Sequence, residues 1–174
     1  SIVLSDMLRQ TKDMYGVFYI RLSRKKAEQI YMPDSTFEIG KANTLREGND
    51  ATIVASGICV SDACRVADKL ADEGIHVRVL DMFTIKPIDK DAIIKASKET
   101  GAIVTVENHN ILNGLGSAVA EVLSEEAPCR MKRLGVPDCF GEVGTIPFLK
   151  EKYHMTEKDI EEAVKSLISK KDVA

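Results

Sequence analysis

Apolar positions at the start of the chain fall at helical spacing. Ile2, Leu4, Met7 and Leu8 lie close to one face, which predicts a helix through about Lys12. Gly16 interrupts it, and Val17-Phe-Tyr-Ile20 is a run of β-preferring residues that predicts a strand leaving through Arg21-Leu-Ser-Arg24. One helix and one strand enclose no core, so residues 1–31 read as the tail of a domain whose body lies elsewhere. Residues 32–45 are polar and punctuated by Pro, Gly and Asn, with Phe37, Ile39 and Leu45 as pins, and read as a linker.

The pattern then becomes regular. Ala51–Ala55 reads as a buried strand and Ser61–Glu73 as a helix with Cys64, Ala67, Leu70 and Ala71 on one stripe. Val77–Leu80 is the next strand, and Asp89 is placed to cap a helix that carries Ile93, Ile94 and Ala96 and stops at Gly101. Strand Ala102–Val106 leads through Glu107-Asn-His-Asn110 and Asn113-Gly-Leu-Gly116 into a helix with Val119, Val122 and Leu123. A strand over 130–134 precedes a loop rich in Gly and Pro. The last helix begins at the capping pair Thr156 and Asp159 and presents Ile160, Ala163, Val164, Leu167 and Ile168. Strands alternating with helices predict an α/β fold, a mostly parallel (mixed) sheet covered by helices on both faces, over residues 46–174.

Composition narrows the classes. With 24 Lys+Arg against 27 Asp+Glu among 174 residues, the net charge is −3, which gives no electrostatic footprint for nucleic acid. No apolar run approaches the roughly 18 residues of a membrane span, and the chain opens on no basic-then-apolar leader, so a cytoplasmic domain is expected. Cys59, Cys64, Cys129 and Cys139 fit neither zinc nor redox spacing, and His76, His109 and His154 are scattered, so no metal site is expected.

Three features carry candidate chemistry. Gly114-Leu-Gly116 stands between a strand and a helix, where a dinucleotide fingerprint would, but Val119 occupies its third glycine position. That leaves a tight loop entry or a weak anion site. Gly57-Ile-Cys-Val-Ser61 places Cys59 at a strand-to-helix turn, as in a nucleophile elbow, although Ser61 replaces the closing glycine. A packed thiol and a thiol hydrolase are the competing readings. Arg24, with Arg21, ends a strand in a basic stretch suited to a phosphate or carboxylate.

Gly16-Val-Phe-Tyr-Ile-Arg-Leu-Ser-Arg24, Val77-Arg-Val-Leu-Asp-Met-Phe-Thr-Ile-Lys-Pro-Ile-Asp89 and Val104-Thr-Val-Glu107 with Gly114-x-Gly116 follow in order and spacing. Together they resemble the carboxyl-terminal half of transketolases, enzymes that use thiamine diphosphate and Mg2+ to transfer two-carbon ketol units between sugar phosphates. The resemblance covers essentially the whole chain. The Phe83–Asp89 segment also resembles 1-deoxyxylulose 5-phosphate synthase and the beta subunits of 2-oxo-acid dehydrogenases. Arg-Leu-Ser-Arg favours transketolase, because the synthase has a Tyr-Pro-Arg-Gly type sequence there.

The resemblance implies that residues 1–31 are the last helix and strand of a pyrimidine-binding domain. It implies that Arg24 binds the substrate phosphate and that Arg21 supports it. The family's Gly-Asp-Gly segment, activating glutamate and substrate-channel histidines have no match here, so no catalytic, cofactor-binding or metal residue is expected in this chain. The expected partners are the missing N-terminal portion or a separate N-terminal subunit, a second copy in a homodimer, and sugar phosphates. Glu107 and His109 match a Glu-x-His pattern common in the family, for which a loop-structuring role is expected. A stand-alone interaction domain of the same fold is the alternative from another class.

Overall fold

Ala51–Ala55 (β2) and Val77–Asp81 (β3) are buried at every position, the signature of strands covered on both faces. In the computed structural model, which describes residues 2–24 and 27–169, they lie at the heart of a five-stranded sheet. The other strands are Asn43–Arg46 (β1), Ala102–Asn110 (β4) and Arg130–Val136 (β5). The order is β1-β3-β2-β4-β5, with β1 antiparallel at one edge and every other pair parallel.

Side-chain alternation divides the core in two. Ile53, Val79 and Val104 face one layer, made by helices Cys59–Asp72 (α2) and Glu157–Ser169 (α6) through Val66, Leu70, Ile160 and Val164. Val54, Leu80 and Ile103 face the other, made by Lys90–Thr100 (α3) and Leu115–Glu126 (α4) through Ile93, Val119 and Leu123. The fold is the three-layer α/β/α arrangement with a mostly parallel sheet that the alternation predicts.

The punctuation holds where its chemistry is local. Asp89 caps α3 by accepting from Ala92 N at 3.0 Å, and Gly101 closes that helix in the left-handed region. Thr156 and Asp159 form the reciprocal capping pair, with Thr156 N donating to Asp159 at 2.8 Å and Asp159 N to Thr156 Oγ1 at 3.3 Å.

Three expectations about elements are corrected. Val17–Ile20 has no regular secondary structure and pairs with no strand among the described residues. Asn43–Leu45, read as linker, pair with β3, since the edge of the sheet accepts even a half-exposed, polar strand. The stretch after β5, read as loop throughout, contains a further helix, Ile146–Lys152 (α5), capped by Thr145 and carrying Pro147 in its first turn.

The first helix, Ile2–Thr11 (α1), docks on the polar stretch that follows it. Gln10 donates to Phe37 O at 2.6 Å and Asp6 accepts from Phe37 N at 3.2 Å. Phe37 is buried edge-on between Tyr31 and Phe83, with ring centroids 4.7 and 5.4 Å away. The stretch is thus fastened to the sheet domain, and Tyr31 completes the attachment by donating to the buried Asp81 at 2.6 Å. No helix of the described residues is long and apolar enough to cross a membrane.

Candidate functional site

The chain leaves β2 toward β3 on one side and later returns to β4 on the other. The ends of β2 and β4, Ala55-Ser-Gly57 and Glu107-Asn-His109, therefore flank the crevice where parallel α/β sheets usually hold ligands. Here the chain's own segment around Arg21 lies against that end of the sheet. Arg21 Nη2 donates to Asn108 O at 2.9 Å. Beyond it, Ser23, Ala27, Glu28 and Ile30 form one wall of a cleft of about 190 Å³, with Gly57, Ile58 and Ser61 among the residues opposite. Arg24 is exposed on this segment.

A charge network fastens the cleft. Asp62, in the first turn of α2, is 4% exposed and is satisfied by Lys150 of α5 and by Arg65 Nη2 at 2.5 Å. Arg65 also donates through Nε to Glu157 of α6 at 2.7 Å and through Nη1 to Glu28. The Arg65 guanidinium holds the Glu28 carboxyl below the usual carboxylate range, helped by a hydrogen bond from Ser61. Nothing in the sequence announced this cluster, because Asp62 meets Lys150 across 88 residues and Arg65 meets Glu157 across 92.

The second feature of the crevice is Glu107. Its carboxylate, 2% exposed, accepts from Leu115 N and Gly116 N, each at 2.7 Å. These are the unpaired donors of the α4 N-terminus, so the anion this helix end attracts is supplied from within. The two glycines permit the approach. A Cβ on Gly114 would stand 2.0 Å from Glu107 Oε2, and one on Gly116 would stand 2.8 Å from Arg133 and 2.9 Å from Thr105 Oγ1. His109 is half-exposed, with Nδ1 3.9 Å from Glu107 Oε2 and 2.9 Å from Asn110 O. The open anion site considered for Gly114-Leu-Gly116 is thus filled, and these residues do not fit a diphosphate.

Cys59 begins α2 at 0% exposure, and burial pushes its thiol up to about 12. It is a packed thiol, and the elbow reading falls on that geometry. Among the described residues no group of three or more His, Cys, Asp or Glu is arranged to hold a metal ion.

Fold and crevice together define a class: a three-layer α/β domain that fills its own helix-terminal anion position and lays a basic segment against its switch point. Residues 40–160 match the family model described as transketolase, C-terminal domain, and the chain belongs to that family. It is 46% identical over 157 residues to a 6-deoxy-6-sulfo-D-fructose transketolase subunit of Clostridium sp. (strain MSTE9), covering 90% of this chain and 49% of the relative. It is 37% identical over 167 residues to a 1-deoxy-D-xylulose-5-phosphate synthase of Heliobacterium modesticaldum, covering 94% of this chain and 26% of that protein. A solved structure described as a split gene transketolase, inactive beta4 tetramer, superposes with a TM-score of 0.92 at 42% identity, over 97% of this chain and 55% of that one. The chain thus spans about half the length, or less, of the proteins it matches.

Proposed function

We propose that the chain is the C-terminal half of a thiamine-diphosphate-dependent transketolase, inactive alone, which supplies a substrate-phosphate arginine and part of the subunit surface. In this reading residues 1–31 end a pyrimidine-binding domain, the stretch from 32 to about 42 links it onward, and the C-terminal domain takes in β1 from Asn43 and all that follows. The cofactor and Mg2+ belong to the remaining half, either earlier in the same polypeptide or on a separate subunit. The matched relatives described as a subunit and as a split gene product support the second arrangement. When bound there, the cofactor supplies the carbanion chemistry of ketol transfer. A homodimer of the complete enzyme follows from the family resemblance.

The observation that carries the reading is Arg24, exposed on a segment tied to the switch point through the neighbouring Arg21. A guanidinium fork meets phosphate oxygens through paired, charge-assisted hydrogen bonds. Holding the phosphate fixes the far end of the sugar, and that remote binding energy orients the reacting carbonyl. Arg21 contributes by spending its own guanidinium on Asn108 rather than on substrate.

In the complete enzyme, Arg24→Ala is expected to raise KM for phosphorylated sugars by ~10-fold or more, the loss of one charge-assisted contact. KM for unphosphorylated sugars should hardly move. Steady-state kinetics on both substrate sets checks this, and equal KM values for wild type and variant on phosphorylated sugars would remove the assignment. The deoxyxylulose phosphate synthase reading is kept by the 94% coverage of that relative. Donor choice separates the two: xylulose 5-phosphate for the transketolase, pyruvate for the synthase.

A further inference from the structure

Arg24 lies between two fixed points. Three residues before it, Arg21 donates to Asn108 O at 2.9 Å. Four residues after it, Glu28 pairs with Arg65. The first point belongs to β4 and the second to α2, so the sheet domain holds the chain at Arg21 before Arg24 and at Glu28 after it.

The second grip is built with care. Arg65 is no loose surface lysine: its planar fork is held by Asp62 at 2.5 Å and by Glu157 at 2.7 Å before it meets Glu28. Asp62 is itself buried and paired with Lys150, which ties α5 into the same network. Arg65 therefore points at Glu28 from a frame assembled by α2, α5 and α6. An isolated exposed ion pair is worth little, but a guanidinium fixed by two other carboxylates offers its remaining nitrogen with most of its side-chain entropy already lost.

We infer that Arg65 is a positioning residue for the phosphate site, acting through Glu28 to hold the segment that presents Arg24. The inference rests on the proposed role of Arg24 and adds the device that places it. Arg65 touches no substrate. Its effect is on where the Arg24 guanidinium stands, and a displacement of about 1 Å at such a contact is enough to weaken it severely.

Glu28→Ala in the complete enzyme is the direct test, because Glu28 is exposed and its loss leaves the pairing of Arg65 with Asp62 and Glu157 in place. The expected result is a KM for phosphorylated sugars raised by roughly 5- to 10-fold, with kcat retained and KM for unphosphorylated sugars unmoved. Glu28→Gln, which keeps an acceptor for Arg65, should recover most of that loss. The double variant Arg24→Ala, Glu28→Ala should be no worse than Arg24→Ala alone, since both act on one contact.

If Arg24→Ala raises KM and Glu28→Ala does not, the positioning role is overturned while the phosphate assignment stands. Equal losses by Glu28→Ala on phosphorylated and unphosphorylated sugars also overturn it, because they mark a general structural defect. If Arg24→Ala itself changes nothing, the phosphate assignment fails and the positioning role with it.

Discussion

Glu107 sits at the sheet end where a ligand anion would otherwise be attracted, and its two oxygens each take one backbone donor of α4 at 2.7 Å. Replacing it with Gln turns one oxygen into a donor facing another donor. Such a change costs about 2 kcal/mol, typical of a lost hydrogen bond to a charged group. Gly114→Ala acts on the same arrangement from the other side, since its Cβ would lie 2.0 Å from Oε2. Overpacking of this kind costs ~1–3 kcal/mol. Urea unfolding should show both variants losing stability, and the double variant losing less than the sum, because the two changes disturb one contact. Full additivity would contradict this. The sequence made the loop legible as Gly114-x-Gly116 and left an anion site open, but it could not say that Glu107 fills it. Only the pairing of β4 with its neighbours turns residue 107 inward, beneath a helix that starts eight residues later.

At the scale of elements, the regular units between residues 51 and 134 were legible because their signals are local. Apolar runs made β2, β3 and β4, and Asp89 and Gly101 bounded α3. What escaped depends on partners distant in sequence. Val17–Ile20 has strand-forming side chains but pairs with no strand among the described residues, whereas Asn43–Arg46 has poor ones and lies beside β3. The Arg65 network escaped for the same reason. The stretch around Tyr31 reads as featureless, yet it is latched by one buried bond to Asp81. Burial pushes the Asp81 carboxyl up to about 6, and the hydrogen bond from Tyr31 works against that rise. A folded pKa above the unfolded value near 4 favours the fold while the group is protonated in both states. That contribution is lost as pH climbs from about 4 through about 6. Tyr31→Phe removes the bond that eases the carboxylate, so its penalty should be larger once Asp81 is charged. The expected loss is about 2 kcal/mol at pH 7.5, falling toward 1 at pH 4.5. Unfolding midpoints at the two pH values check this, and an equal loss at both would contradict it.

For the whole molecule, the decisive facts are coverage and exposure. The chain belongs to the transketolase C-terminal domain family and spans about half the length of the transketolase subunit it matches at 46% identity. The apolar side chains Val17, Phe18, Tyr19, Ile20 and Leu22 stand between 40% and 101% exposed on one continuous stretch. A run of that kind is what an interface with further protein leaves behind when it is described alone. Both facts support the proposed reading of a piece that is completed by the rest of an enzyme. The most direct measurement is two-carbon transfer from xylulose 5-phosphate, with thiamine diphosphate and Mg2+ present. It should be made on this chain, on the half carrying the remaining domains, and on the two combined. Transfer is expected from the combination and from neither half alone. Transfer by this chain alone, or a combination that assembles and stays inactive with every phosphorylated ketose donor, would contradict the proposed reading.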